Sequence, residues 1–62
     1  MAVRHEANDD YELQVYINGR WVRDRKVRKS GGANTARASS NRTGNPYRVW
    51  NVTKNAVYVE VR

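Results

Sequence analysis

Asn18–Gly19 separates two segments of alternating apolar and polar residues, and this arrangement predicts a β-hairpin. A type I′ turn needs positive φ at both central residues, which asparagine and glycine tolerate best. The segment 11–17 alternates with period 2 and is rich in strand-forming residues. We therefore predict a first strand over 11–17 and a returning strand over 20–27.

A two-residue turn also predicts the strand register, because it fixes which residues lie opposite one another. The predicted pairs are Ile17–Arg20, Tyr16–Trp21, Val15–Val22, Gln14–Arg23, Leu13–Asp24 and Glu12–Arg25. One face of the hairpin is then apolar and is formed by Tyr11, Leu13, Val15, Ile17 and Val22. The other face combines aromatic and charged side chains, namely Tyr16, Trp21, Arg23, Arg25, Glu12 and Gln14.

Residues 28–46 have a different composition, dominated by glycine, alanine, serine, threonine and asparagine. Alanine is their only apolar residue type apart from the single Pro46. A helical turn over 33–40 would lack an apolar anchor, and isolated short helices are marginal in water. The segment is therefore predicted to be a long polar and basic loop.

The alternating pattern returns after Pro46 and predicts a second hairpin. Its strands are predicted over 47–53 and 56–62, with a turn at Lys54–Asn55. In this register Trp50 lies opposite Val59. The predicted core of the whole domain is Leu13, Val15, Ile17, Val22, Trp50, Val52, Val57, Val59 and Val61.

A chain of 62 residues forms at most one small domain. Two hairpins are too little to be stable separately, so we expect them to join. The predicted fold class is all-β, with two antiparallel hairpins forming a small twisted sheet or SH3-like barrel. Residues 1–9 are predicted to be a flexible N-terminal arm, and residues 10–62 a single β domain with the long loop at 28–46.

Positive charge is concentrated in the middle of the chain. Residues 20–48 contain nine lysines and arginines against Asp24 alone, whereas residues 1–12 carry a net charge of −3. An excess of this size over 29 residues is more than solubility requires, and it indicates a polyanionic partner.

The leading hypothesis is a small basic protein that binds DNA or RNA. Arginine can grip phosphate or guanine and can stack on bases, and aromatic side chains inside a positive surface are typical of single-strand binders. The predicted contact residues are Arg20, Arg23, Arg25, Lys26, Arg28, Lys29, Arg37, Arg42, Arg48, Trp21 and Tyr16. A purely structural role for Tyr16 and Trp21, as a cross-strand pair, fits the same pattern.

The same surface also fits an accessory protein of the kind encoded by phages and mobile elements, which binds and modulates a host protein through an acidic surface of that protein. Trp21 would then be an anchor of the interface. The exposed strand 56–62 could pair with its copy in a homodimer.

Enzymatic activity is not expected, because the single His5 lies in the predicted arm and no nucleophile–base pair is apparent. The absence of cysteine removes thiolate metal sites, and no metal or cofactor is predicted. No apolar run approaches the roughly 20 residues that span a bilayer, so we expect a cytoplasmic protein without a membrane partner.

Overall fold

The computed structural model describes residues 2–62, so Met1 of the predicted arm lies outside the described residues. Its elements are β1 (Tyr11–Ile17), β2 (Arg20–Val27), α1 (Lys29–Thr43), β3 (Tyr47–Asn51) and β4 (Ala56–Val61). The strands form one antiparallel sheet in the order β2-β1-β3-β4. The sheet is open, with β2 and β4 at its edges, so the two hairpins join into the predicted antiparallel sheet and not into its alternative, an SH3-like barrel. The fold is mostly β with one helix, so the all-β prediction was wrong in this respect.

The first hairpin is confirmed, including its turn. Asn18 and Gly19 have φ angles of 53° and 79°, the left-handed region that a type I′ turn requires. The observed pairing follows the predicted register from Ile17–Arg20 to Gln14–Arg23.

Beyond Gln14 the register shifts, because Asp24 is an extra residue in β2 and forms a bulge. Leu13 pairs with Arg25 and Glu12 with Lys26, so the predicted pairs Leu13–Asp24 and Glu12–Arg25 were wrong. The bulge exchanges the faces of the residues that follow it. It turns Arg25 and Val27 to the apolar side of the sheet, where Val27 packs against the core.

The segment predicted as a long loop contains the helix α1, whose 15 residues cover one face of the sheet. It lacks a conventional apolar stripe, and Gly32, Ala36 and Ser39 are its buried residues. A Cβ atom at Gly32 would lie 3.1 Å from a methyl carbon of Val49, so the helix backbone sits directly on β3. The helix ends at Gly44, which has φ 79° and donates its N–H to the Ser40 carbonyl at 2.8 Å.

The core lies between α1 and the two central strands. Its buried apolar residues are Tyr11, Leu13, Val15, Ala36, Tyr47 and Val49, with Val27, Tyr58, Val59 and Val61 packed around them. Several predicted core residues are exposed instead, namely Ile17, Val22, Val52 and Val57. Trp50 is also outside the core, on the sheet face that the helix does not cover.

The second hairpin is present, but its turn is longer than predicted. Asn51 pairs with Ala56, so residues 52–55 form a four-residue connection in place of the two-residue turn. Tyr58 is an extra residue in β4 and forms a second bulge, which places Val57 opposite Trp50 and Val59 opposite Val49. The predicted pair Trp50–Val59 was therefore wrong.

Part of the segment that was predicted as an arm contacts the folded domain. The Tyr11 hydroxyl donates to the Glu6 carbonyl at 2.6 Å. The Asp10 backbone N–H donates to the Thr53 hydroxyl at 2.9 Å, and the Val52 N–H donates to the Asp10 carbonyl at 2.8 Å. These bonds connect the residues before β1 to the turn between β3 and β4.

Asn51 is fully buried at the centre of this connection. Its amide nitrogen lies 3.0 Å from the Asp9 carboxylate and 3.0 Å from Nδ1 of His5. Its Oδ1 accepts the Lys54 backbone N–H at 2.9 Å. The Lys54 ammonium group lies 3.0 Å from the same Asp9 carboxylate. Asn51 thus connects the end of β3 with the segment before β1 and with the turn that follows β3.

These bonds predict an acid-dependent loss of stability through Asp9. The Asn51 amide, the Glu6 backbone N–H and Lys54 lower the pKa of Asp9 from 3.8 to about 2. Because the folded-state pKa is the lower one, the stabilisation is present above pH 3.8 and is lost as the pH falls towards 2. We expect the free energy of unfolding, measured by urea titration, to fall over this range.

Asp9→Asn should weaken this acid dependence, whereas Asp24→Asn, an equal charge change at the exposed bulge, should retain it. An Asp9→Asn variant with the wild-type pH profile would contradict the assignment.

Candidate nucleic-acid interface

The face of the sheet opposite α1 is uncovered, and we call it the open face. Strand alternation and the two bulges determine which side chains it carries. Its residues are Glu12, Gln14, Tyr16, Trp21, Arg23, Lys26, Arg48, Trp50, Val57 and Glu60, with Arg62 following at the end of β4. Aromatic and charged side chains predominate, in contrast to the apolar face beneath the helix.

Arg48 lies at the centre of the open face, on the inner strand β3. Its guanidinium carbon is 4.3 Å from the ring centroid of Trp21 and 4.9 Å from that of Trp50. Both distances are well within the range for attraction between a cation and an aromatic ring. The guanidinium group therefore contacts both Trp21 of the edge strand β2 and Trp50, which lies two residues further along β3.

A chain of polar contacts orients the same guanidinium group. Nε of Arg48 donates to Oε1 of Gln14 at 2.6 Å. Nε2 of Gln14 donates to Glu12 at 2.6 Å, and Glu12 accepts Nε of Arg23 at 3.2 Å. The contacts run across β3, β1 and β2 because these residues share the open face of neighbouring strands. Gln14 and Arg48 are direct cross-strand partners.

Burial lowers the pKa of Arg48 from its ordinary value, and the Glu60 carboxylate opposes this shift. A guanidinium group has so high an intrinsic pKa that it stays protonated in proteins. Arg48 is thus a permanent, half-buried cation on this face.

Tyr16 and Trp21 form an aromatic pair at one end of the open face. Their ring centroids are 5.2 Å apart and their planes are inclined by 64°, a favourable edge-to-face geometry. Together with Pro46 and Arg62 they line a cavity of about 230 Å³. The aromatic pair therefore stabilises the hairpin and also forms one wall of a recess beside Arg62.

The structure brings together only some of the predicted contact residues. Tyr16, Trp21, Arg23, Lys26 and Arg48 share the open face.

The remaining predicted residues lie elsewhere, on the helix side of the sheet or on the helix itself. Arg20 pairs with Ile17 at the hairpin tip, and Arg25 is turned to the helix side by the bulge. Arg25 and Arg28 help to line an open cavity of about 420 Å³ at the start of α1. Arg37 and Arg42 are exposed on α1.

Lys29 is occupied by contacts within the domain. Its ammonium group donates to the His5 carbonyl at 2.9 Å and lies 5.6 Å from the ring centroid of Tyr58. It is half-buried, so it is a poor candidate for a phosphate contact.

Among the aromatic and basic residues of the open face, Trp50 and Arg62 were absent from the predicted set. The signal for Trp50 was available, since period-2 alternation in β3 places it on the same face as Arg48. The assignment of Trp50 to the core, opposite Val59, hid this relation. Alternation with Val59 and Val61 placed Arg62 outside the core, and the bulge at Tyr58 precedes these residues, but Arg62 was not included among the contact residues.

Within residues 2–62, no three histidine, aspartate or glutamate side chains form a group that could hold a metal ion. The helix described between residues 29 and 43 lacks the length and apolar character needed to cross a membrane. Comparison of the chain with protein-family models, with curated proteins and with solved structures finds no match.

Proposed function

We propose that this protein binds nucleic acid through the open face of its sheet. The observation that carries the proposal is the stack of Trp21, Arg48 and Trp50 across that face. Arginine and aromatic side chains on a sheet surface are the groups that contact phosphates and bases when a β-sheet binds DNA or RNA.

Charge supports the same function. The chain carries a net charge of +6, and nine of its twelve basic residues are arginines. Glu12 and Glu60 on the open face are each paired with an arginine, Arg23 and Arg62. Lys26 forms no ion pair with any of residues 2–62, and together with the helix arginines it extends the positive field beyond the face, which favours association with a polyanion.

A charge-reversal comparison tests where the nucleic acid binds. Arg23→Glu with Lys26→Glu alters the open face, and Arg37→Glu with Arg42→Glu alters the exposed side of α1. Each double variant replaces two cations by two anions, so both lower the net charge of +6 by four. The two proteins therefore differ in the position of the change and not in its size.

Binding is measured by fluorescence anisotropy with labelled single-stranded DNA, duplex DNA and RNA, between about 50 and 200 mM salt. We expect the open-face variant to lose at least about tenfold in affinity for the preferred ligand. Its log–log salt slope should decrease by about 1.4 to 1.8, the value for two lost phosphate contacts. The helix variant should lose less affinity and keep the wild-type slope.

Equal losses in the two variants would show that binding depends on total charge and not on the open face. If wild type fails to bind any of the three ligands at about 50 mM salt, the proposed function is wrong. An acidic protein surface then becomes the partner to seek, by pull-down with the open-face variant as the negative control.

A further inference from the structure

We infer that Arg48 is the base-reading residue of the open face and that it selects guanine. This inference rests on the proposed function, because it assigns a specificity to the same surface. The way in which the guanidinium group is held supports this assignment.

The guanidinium group of Arg48 is constrained in both orientation and position. Trp21 and Trp50 flank it, with ring centroids 4.3 and 4.9 Å from its central carbon. The 2.6 Å hydrogen bond from Nε to Oε1 of Gln14 fixes the orientation of the group. Gln14 is held in turn by Glu12. An arginine normally loses much side-chain entropy when it is ordered by a ligand, and here the folded protein has already ordered it.

The two terminal amino groups of Arg48 are left to act as donors. Within residues 2–62, the Arg48 side chain donates a hydrogen bond through Nε alone. Paired terminal amino groups in one plane match two acceptors in one plane. On a nucleic acid, guanine offers such a pair in O6 and N7, whereas adenine offers N7 beside an amino donor.

Phosphate oxygens also match this donor pair, but the surroundings of Arg48 favour a base. The guanidinium group is half-buried, whereas Arg23 and Lys26 on the same face are exposed. Exposed flexible cations serve for the phosphate backbone, which needs no fixed orientation. A stacked, planar and oriented donor pair is suited to an equally planar acceptor pair, the edge of a guanine base.

The test compares oligonucleotides that differ only at two central positions. Fluorescein-labelled thymidine 12-mers carry guanine, adenine, hypoxanthine or 7-deazaguanine at these positions, and each is also annealed to its complement. Hypoxanthine keeps O6 and N7, whereas 7-deazaguanine lacks the N7 acceptor. We expect wild type to bind the guanine and hypoxanthine probes about 5- to 150-fold more tightly than the adenine probe. The 7-deazaguanine probe should lose most of this preference.

The variant Arg48→Lys keeps the charge but removes the paired donors. It should bind all four probes with equal affinity, whereas Arg42→Lys, the same change on the exposed helix surface, should keep the guanine preference. The guanine preference is the ratio of two affinities measured with the same protein. A lower stability of Arg48→Lys reduces both affinities by the same factor and leaves this ratio unchanged. The 7-deazaguanine comparison uses wild type alone and stands even if Arg48→Lys does not fold.

Wild-type binding that is equal for all four probes would overturn the inference and leave the proposed function intact. A guanine preference that Arg48→Lys retains would also overturn it, because another residue would then read the base. Absence of binding to every probe would overturn the inference, and it would overturn the proposed function as well if wild type also fails to bind the labelled RNA.

Discussion

Replacing Gly32 by leucine is expected to unfold most of the protein at temperatures where wild type is folded. A Cβ atom at this position would lie 3.1 and 3.3 Å from the two methyl carbons of Val49 and 3.5 Å from one of Val27. Val49 is fully buried and cannot move away without disturbing β3. Overpacking of this kind costs about 3 kcal/mol or more. A chain of 62 residues has a total stability of only about 3–9 kcal/mol.

The adjacent Gly31 provides the matched control. It lies in the same helical turn, but a Cβ atom there would meet nothing within 4 Å. Gly31→Leu should raise the stability by up to about 0.8 kcal/mol, because leucine is the better helix former. Thermal unfolding followed by circular dichroism should show a Tm lowered by more than about 12 °C for Gly32→Leu. Similar Tm values for the two variants would mean that α1 does not sit closely on β3.

Asn51→Ala should destabilise the protein by about 2–3 kcal/mol, because it removes a buried group that satisfies several others. The Asn51 side chain contacts Asp9, His5 and the Lys54 backbone N–H, and it is fully buried. Without it, the Asp9 carboxylate loses the hydrogen bond that most lowers its pKa. The folded-state pKa of Asp9 therefore rises towards 3.8 in the variant, and the acid-dependent loss of stability should be smaller and end at a higher pH than in wild type.

Asn41→Ala is the control for this change. Asn41 is exposed on α1, and surface substitutions of this type usually stay within about 0.5 kcal/mol of wild type. Urea unfolding measures both variants, and amide hydrogen exchange reports on the residues before β1. Faster exchange at Asp9 and Val52 is expected for Asn51→Ala only. If Asn51→Ala and Asn41→Ala have equal free energies of unfolding, water replaces the buried Asn51 amide without loss of stability.

The parts of this fold that the sequence predicted are those governed by local rules. The Asn18–Gly19 turn and its register as far as Gln14–Arg23 depend only on backbone conformation and alternation, and both are confirmed. The bulge at Asp24 has no comparable local signal, because an extra residue in a strand is set by packing on both sides. It changes the faces of Arg25 and Lys26, and so it alters which cations belong to the candidate site.

The helix could not be predicted from apolar periodicity because its contact surface is made of small residues. Gly32, Ala36 and Ser39 recur at helical spacing, but none carries the bulky apolar side chain that hydropathy patterns detect. These small residues let the helix backbone approach β3 closely. This role is apparent only once the structure shows Val49 beneath them. The stack around Arg48 was hidden for a related reason, since Trp21 and Trp50 belong to different hairpins.

The two bulges also bear on how copies of this chain would meet. Both extra residues, Asp24 and Tyr58, lie in the edge strands of the sheet. A strand added from a neighbour needs an uninterrupted row of backbone donors and acceptors, and a bulge breaks that row and twists the edge away. Growth of the sheet into ribbons or fibrils by edge-to-edge pairing is therefore disfavoured at both edge strands. One broad face of the sheet is not covered by the helix, and such a protein is prone to aggregate at high concentration. The two bulges reduce this tendency at the edge strands.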